Sequence, residues 1–270
     1  MHSYETFIQL SLTMKKENHP LPDSVIDQLN EIRKILQIPI VEKIKKTVIV
    51  KKESTVSEIL KILNKITEKN YDKLRDSICV LVKGIENLED MNKITHVIFN
   101  IASSNLFYSK LFSKLYKELI DVNRTFYDVF QIHYHKFFTE LQSFDFTQTK
   151  DYDEFCEYTK KIQQLDSTLT FFINLMKTNN CEIEHITDLC LLLQDKIIED
   201  NVFEKVELNE QMLHCIYIIL KECMDYLLFH EKLEPIVHKV KEIKQHPKLT
   251  SKMKFKCMDL DDIIKSHLLI

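Results

Sequence analysis

From residue 40 to residue 234 the chain contains no proline, and the whole sequence holds one glycine, Gly84. Sheets closed by tight hairpins usually need glycine or an Asn-Gly turn, and neither Asn-Gly nor Asp-Gly occurs. Helices joined by polar turns have no such need. Asn70, Asn87, Asn105, Asn123, Asn179, Asn180 and Asn201 fall between apolar-periodic segments. Asparagine tolerates both capping and left-handed conformations, so it can make these breaks without glycine. The expected fold class is all-α.

The periodicity supports this. Val56, Ile59, Leu60, Leu63 and Ile66 share one helical face, and Thr67 can cap a second helix with apolar positions Tyr71, Leu74, Ile78, Leu81, Val82 and Ile85. Thr55-Val-Ser-Glu58 fits a capping box before the first of these. Helical segments are expected at 54–66, 68–85, 89–104, 106–121, 123–142, 152–178, 182–199, 208–229, 232–245 and 250–266, with a loop between about 142 and 152. They form about five antiparallel pairs with a period of about 40 residues, that of HEAT repeats. A pair cannot bury its apolar face alone, so the expectation is a solenoid of stacked pairs. Residues 1–52 differ. They carry Pro20, Pro22 and Pro39, a short helical candidate at Ser24 to Leu36, and a basic run from Lys43 to Lys52. They read as an extended N-terminal arm, with residues 53–270 as the helical domain.

A net charge of −4 gives no global attraction to nucleic acid, so basic clusters are judged locally. The seven cysteines show no CxxC spacing and sit among apolar residues, as reduced core residues of an intracellular protein would. No secretory leader is apparent, and the most apolar later segment, Cys215 to Phe229, is too short to span a bilayer. His133 and His135 are two residues apart and so lie on different sides of a helix, which does not make a metal pair. There is no phosphate loop, nucleophile elbow or HExxH, and one glycine leaves little with which to build a catalytic loop. The expectation is a non-enzyme without cofactor, metal or catalytic residues.

Several segments carry a specific resemblance. Leu63-Asn-Lys-Ile-Thr67, followed by Tyr71-Asp-Lys-Leu74, resembles the opening of the middle domain of eukaryotic translation initiation factor 4-gamma, a HEAT-repeat family. Four more blocks follow in the family's order. Met91 to Ser109 resembles the second repeat, Phe126 to Phe138 the long third-repeat helix, Phe171 to Lys177 a phenylalanine-rich segment, and Ser251 to Ile263 the closing signature. Ile173 stands where the family has glycine, and Lys252 and Lys254 where it has arginines, which gives up bidentate contacts. In the arm, Tyr4-Glu-Thr-Phe-Ile-Gln-Leu10 resembles the family's cap-binding-factor motif, with Gln9 at the leucine position.

The resemblance implies a compact, cytoplasmic translation-initiation scaffold that brings a cap-binding factor and a DEAD-box RNA helicase onto messenger RNA. The chain would act as a monomer within a heteromeric complex, away from membranes. Cap-binding-factor contacts would be Tyr4, Phe7, Ile8, Leu10 and Leu12. Helicase contacts would be Asn64, Lys65 and Lys69 at one end and Lys252, Lys254, Asp259 and Asp262 at the other, steering the two helicase lobes without chemistry of the scaffold's own. Lysines from 239 to 256 form the densest basic region, which reads either as a solvated face or as an RNA-backbone contact. On the second reading RNA would meet Lys241, Lys244 and Lys248, with Lys45, Lys46, Lys51 and Lys52 extending the track. Two alternatives stay open: a middle-domain protein of splicing, nuclear cap binding or nonsense-mediated decay, or a generic HEAT adaptor with no RNA role. A composition rich in isoleucine, lysine and asparagine points to an AT-rich genome, that of a divergent protist or a large DNA virus.

Overall fold

The computed structural model describes residues 22–35, 55–143, 151–179, 181–199, 206–246 and 249–268. The chain divides into two units, 1–52 and 53–270. Of the first, the described part is helix α1, Asp23–Ile35, opened by a bond from Val25 N to the Pro22 carbonyl (2.9 Å).

The second unit is helical throughout its described residues. It contains α2 (Thr55–Leu63), α3 (Tyr71–Lys83), α4 (Leu88–Ser104), α5 (Ser109–Val122), α6 (Thr125–Ser143), α7 (Tyr152–Lys177), α8 (Ile183–Glu199), α9 (Val206–Leu227), α10 (Leu233–Gln245) and α11 (Ser251–Leu268). Thr55 is the first residue of α2 as described, and a 3-10 turn at Glu68–Asn70 leads into α3.

Asparagine makes several of the breaks. Asn87 caps α4, accepting from Glu89 N (2.8 Å), and Asn123 ends α5 while accepting from Thr125 N (2.9 Å). Asn105 Oδ1 takes Tyr108 N (3.0 Å). Asn179 follows α7 with φ 61°, the left-handed conformation that usually selects glycine. The one glycine is not used this way: Gly84 ends α3 at φ −80° and ψ 0°, open to any residue. Asn180 and Asn201 lie outside the described residues.

Each helix lies beside the next but one. α2, α4, α6, α8 and α10 make one layer, and α3, α5, α7, α9 and α11 the other. Several hydrogen bonds between like helices join residues 40 to 47 apart, as Tyr71 to Glu118, Lys177 to Glu222 and Lys252 to Glu210 do. That spacing matches the period of the helix pairs. A single apolar cluster runs through the stack, from Ile59 on α2 to Ile264 on α11. Alone, each pair would leave half of this surface in water.

The third pair is different. α6 and α7 hardly touch, and α7 lies instead against α4, α5 and α9. Large rings hold the two backbones apart: Phe172 on α7 meets Phe130, Tyr134 and Phe137 of α6 at centroid distances of 5.7, 5.7 and 5.3 Å. Phe99, Tyr116, Phe126 and Phe171 complete a buried aromatic hub. Each fully buried ring contributes roughly 1.5–3 kcal/mol of transfer free energy. α7 changes character along its 26 residues: no side chain is buried before Leu165, whereas Phe171 to Met176 are buried without interruption. A helix apolar on all sides belongs in a core. The buried stretch includes one polar tie, from Asn174 Nδ2 to Ser109 Oγ (2.9 Å), which fixes the start of α5 against the end of α7.

Candidate functional site

Asn64, Lys65 and Lys69 all stand exposed in the turn between α2 and α3. Asn70 shapes the turn, with its Oδ1 accepting from Thr67 N (2.7 Å) and its Nδ2 donating to the Lys65 carbonyl (2.8 Å). Beneath it Tyr71 is buried, donates to Glu118 (3.0 Å) and carries the Lys114 ammonium 4.3 Å over its ring. Burial first, and then the Glu118 carboxylate, push the Tyr71 hydroxyl far above its ordinary range. Arg75 binds the same Glu118 (3.1 Å). The turn therefore rests on a tied base, and its lysines are left to solvent.

On α11, Lys254, Asp259 and Asp262 are exposed. Lys252 is exposed too, but its ammonium reaches Glu210 on α9 (2.7 Å), which also accepts from Thr250 Oγ1 (2.9 Å). Lys256 lies 4.0 Å over the Tyr217 ring and 3.8 Å from Asp259. Much of the basic region is neutralised by neighbouring helices: Lys239 pairs with Asp195 of α8 and Lys244 with Asp261 of α11. Of the described lysines expected to meet RNA, Lys241 is exposed with no ion partner among the described residues, while Lys244 is engaged. Lys45, Lys46, Lys51, Lys52 and Lys248 lie outside the described residues, as do Tyr4, Phe7, Ile8, Leu10 and Leu12.

Two features were not anticipated from the sequence. The parted third pair leaves a groove of about 740 Å³ between α4, α6 and α7, floored by Phe99, Phe137, Leu141 and Leu165. At its edge His133 stacks on Phe99 (4.0 Å between centroids, 14° between planes), and its Nε2 lies 2.9 Å from Nδ1 of His96. Burial, followed by His96 and Lys136, pulls the His133 imidazole down to about 4. At neutral pH the His133 imidazole is therefore uncharged. His135 points elsewhere and is exposed. Among the described residues no group of three metal-ligating side chains occurs.

The second feature is basic. Lys177, at the end of α7, bonds Glu222 of α9 (2.6 Å). Lys177, Lys110 and Lys221 all hold that carboxyl below its usual range. Next to Lys110, in the turn before α5, Phe107 is 86% exposed. No local motif marks this cluster, because its members come from three helices distant in the chain.

The cysteines are packing residues. Burial drives the thiols of Cys181 and Cys223 up to about 12 and that of Cys257 up to about 11, so they stay protonated. No described helix is long and apolar enough to cross a membrane.

Among solved structures, the chain is similar to the crystal structure of the MIF4G domain of Trypanosoma cruzi translation initiation factor EIF4G5. The identity is 14% and the TM-score 0.48, over 80% of this chain and 98% of that one. Neither a protein-family model nor a curated protein sequence matches the chain.

Proposed function

We propose that the protein is a translation-initiation scaffold that binds a DEAD-box RNA helicase, a cap-binding initiation factor and RNA. The observation that carries this reading is the sequence of five signature blocks in family order, which fall on successive parts of one stack of helix pairs. The first block spans the exposed Asn64, Lys65 and Lys69, and the last presents the exposed Lys254, Asp259 and Asp262. Two polar patches at opposite ends of the stack suit a partner with two lobes. Contact with both lobes biases their relative orientation, and the helicase supplies the ATP chemistry. Lys252 plays a lesser part because Glu210 already engages its ammonium. The cap-binding contact would come from Tyr4 to Leu12.

The deciding experiment measures ATPase activity of an initiation-type DEAD-box helicase with and without the full chain, alongside complex formation. Stimulation is expected, weakened by Lys65→Glu/Lys69→Glu and by Asp259→Lys/Asp262→Lys, and abolished when both pairs are changed. No complex and no stimulation would leave a helical adaptor of another process. Retention of a cap-binding factor, lost in Tyr4→Ala/Leu10→Ala, tests the arm separately.

A further inference from the structure

We propose that single-stranded RNA docks where the start of α5 meets the last turns of α7 and α9, with a base stacked on Phe107 and phosphates on Lys110, Lys177 and Lys221. The proposal rests on the RNA partner of the reading above and gives it a surface. That surface borders α11, whose Lys256 shares the Tyr217 ring with Lys221, but does not include Lys241 of α10.

Three observations define the place. The Asn174–Ser109 bond (2.9 Å) pins the first turn of α5 to the end of α7. Lys110 follows Ser109 directly, and Lys177 lies one turn beyond Asn174, so the same bond sets both lysines at one junction. Lys177 then reaches Glu222 (2.6 Å), which brings in its neighbour Lys221, whose ammonium lies 5.7 Å from the Tyr217 ring centroid. Lys177 alone bonds that carboxylate, while Lys110 and Lys221 act on it through space, so one acid stands among three cations.

The surrounding carboxylates do not cancel the excess. Glu118 is taken by Arg75 and Tyr71. One turn along α5, Lys114 adds a further cation beside Tyr71. On α10 and α11, by contrast, Lys239, Lys244, Lys252 and Lys256 each face an acid of their own.

Phe107 supplies the second element. Its ring touches Tyr108 edge to face (4.8 Å between centroids) and leaves its outer face to solvent, within a turn of Lys110. An aromatic face beside unneutralised lysines is the pairing that binds single strands: any base can stack on the ring, and the cations follow the backbone. A protein partner would be expected to need a wider apolar patch than Phe107 with its exposed neighbour Leu106.

The test is fluorescence anisotropy of the full chain with labelled oligouridylate and with a matched duplex, at two salt concentrations. Phe107→Ala is expected to lower single-strand affinity about tenfold, with Phe107→Trp restoring it. Lys110→Glu/Lys221→Glu should weaken binding and flatten its salt dependence, whereas Lys241→Glu should leave it within twofold. All the altered side chains are solvent-facing, and an unchanged melting temperature verifies the fold of each variant. Binding indifferent to Phe107 and to these lysines would overturn the site, as would an equal loss on Lys241→Glu. Affinity for polyglutamate at this face, with none for RNA, would replace it by an acidic protein partner. Helicase stimulation that survives without RNA binding removes this site alone; RNA held here without a helicase response removes the scaffold reading alone.

Discussion

The side-chain amide of Asn174 donates to Ser109 Oγ in a contact with both residues buried, at 6% and 2% exposure. The bond joins the second signature block to the fourth, and the apolar side chains around it offer no substitute partner. Asn174→Ala should cost about 1–3 kcal/mol in denaturant unfolding, because it strands a buried hydroxyl. Asn174→Ala/Ser109→Ala should cost less than the sum of the single changes, since the second removes the group that the first orphans. Strict additivity would show that the two do not interact.

The left-handed residue after α7 gives a prediction of opposite sign for two substitutions. Asn179→Gly should hold or raise the melting temperature, whereas Asn179→Val should lose about 1–2 kcal/mol, the penalty a β-branched side chain meets at φ 61°. Equal melting temperatures for the two variants would mean that the turn relaxes.

Gly84 should be replaceable. A Cβ there would meet the Leu81 and Val80 carbonyl oxygens at 3.5 and 3.6 Å, ordinary contact distances, and the backbone is already helical. Gly84→Ala should stabilise the chain by about 0.4–1 kcal/mol, mainly by restricting the unfolded state. Urea midpoints for the two proteins decide this.

His133 should make stability fall on mild acidification. Its imidazole is held down to about 4 in the fold, against an ordinary 6.5. Below pH 6.5 the unfolded chain therefore takes up a proton that the folded one refuses. The contribution is fully present above pH 6.5 and is lost as the pH falls toward 4. Lys136 and His96 face the ring and oppose its charging, while the lowered Glu184 and Glu222 carboxyls act only at lower pH. Melting temperatures across this window should drop more steeply for the wild type than for His133→Gln. Parallel curves would assign the acid response elsewhere.

Helix class and order could be read from the sequence because they depend on neighbours in the chain. Asn87 and Asn123 act on residues two positions away, and the apolar spacing of α2 to α5 needs only a 3.6-residue period. The exposure of Lys65 and Lys254 follows from the same periodicity. The pairing of Lys239 with Asp195 and of Lys252 with Glu210 does not, because it depends on the lateral register of neighbouring helices. A count of charges along the chain therefore overstated the cationic character of α10 and α11. The gap between α6 and α7 was hidden for a related reason: it arises from the combined volume of Phe130, Tyr134, Phe137 and Phe172, which no local window contains.

That gap sets how the stack can yield. Between α6 and α7 the contact is carried by side-chain rings and not by close backbones, so the third pair is expected to yield before pairs whose backbones meet. Spin labels at Lys65 and Lys254, which straddle that pair, should report a broader spread of separations than labels at Lys69 and Lys117 on one side of it. Such a stack would flex at its middle and keep both ends rigid.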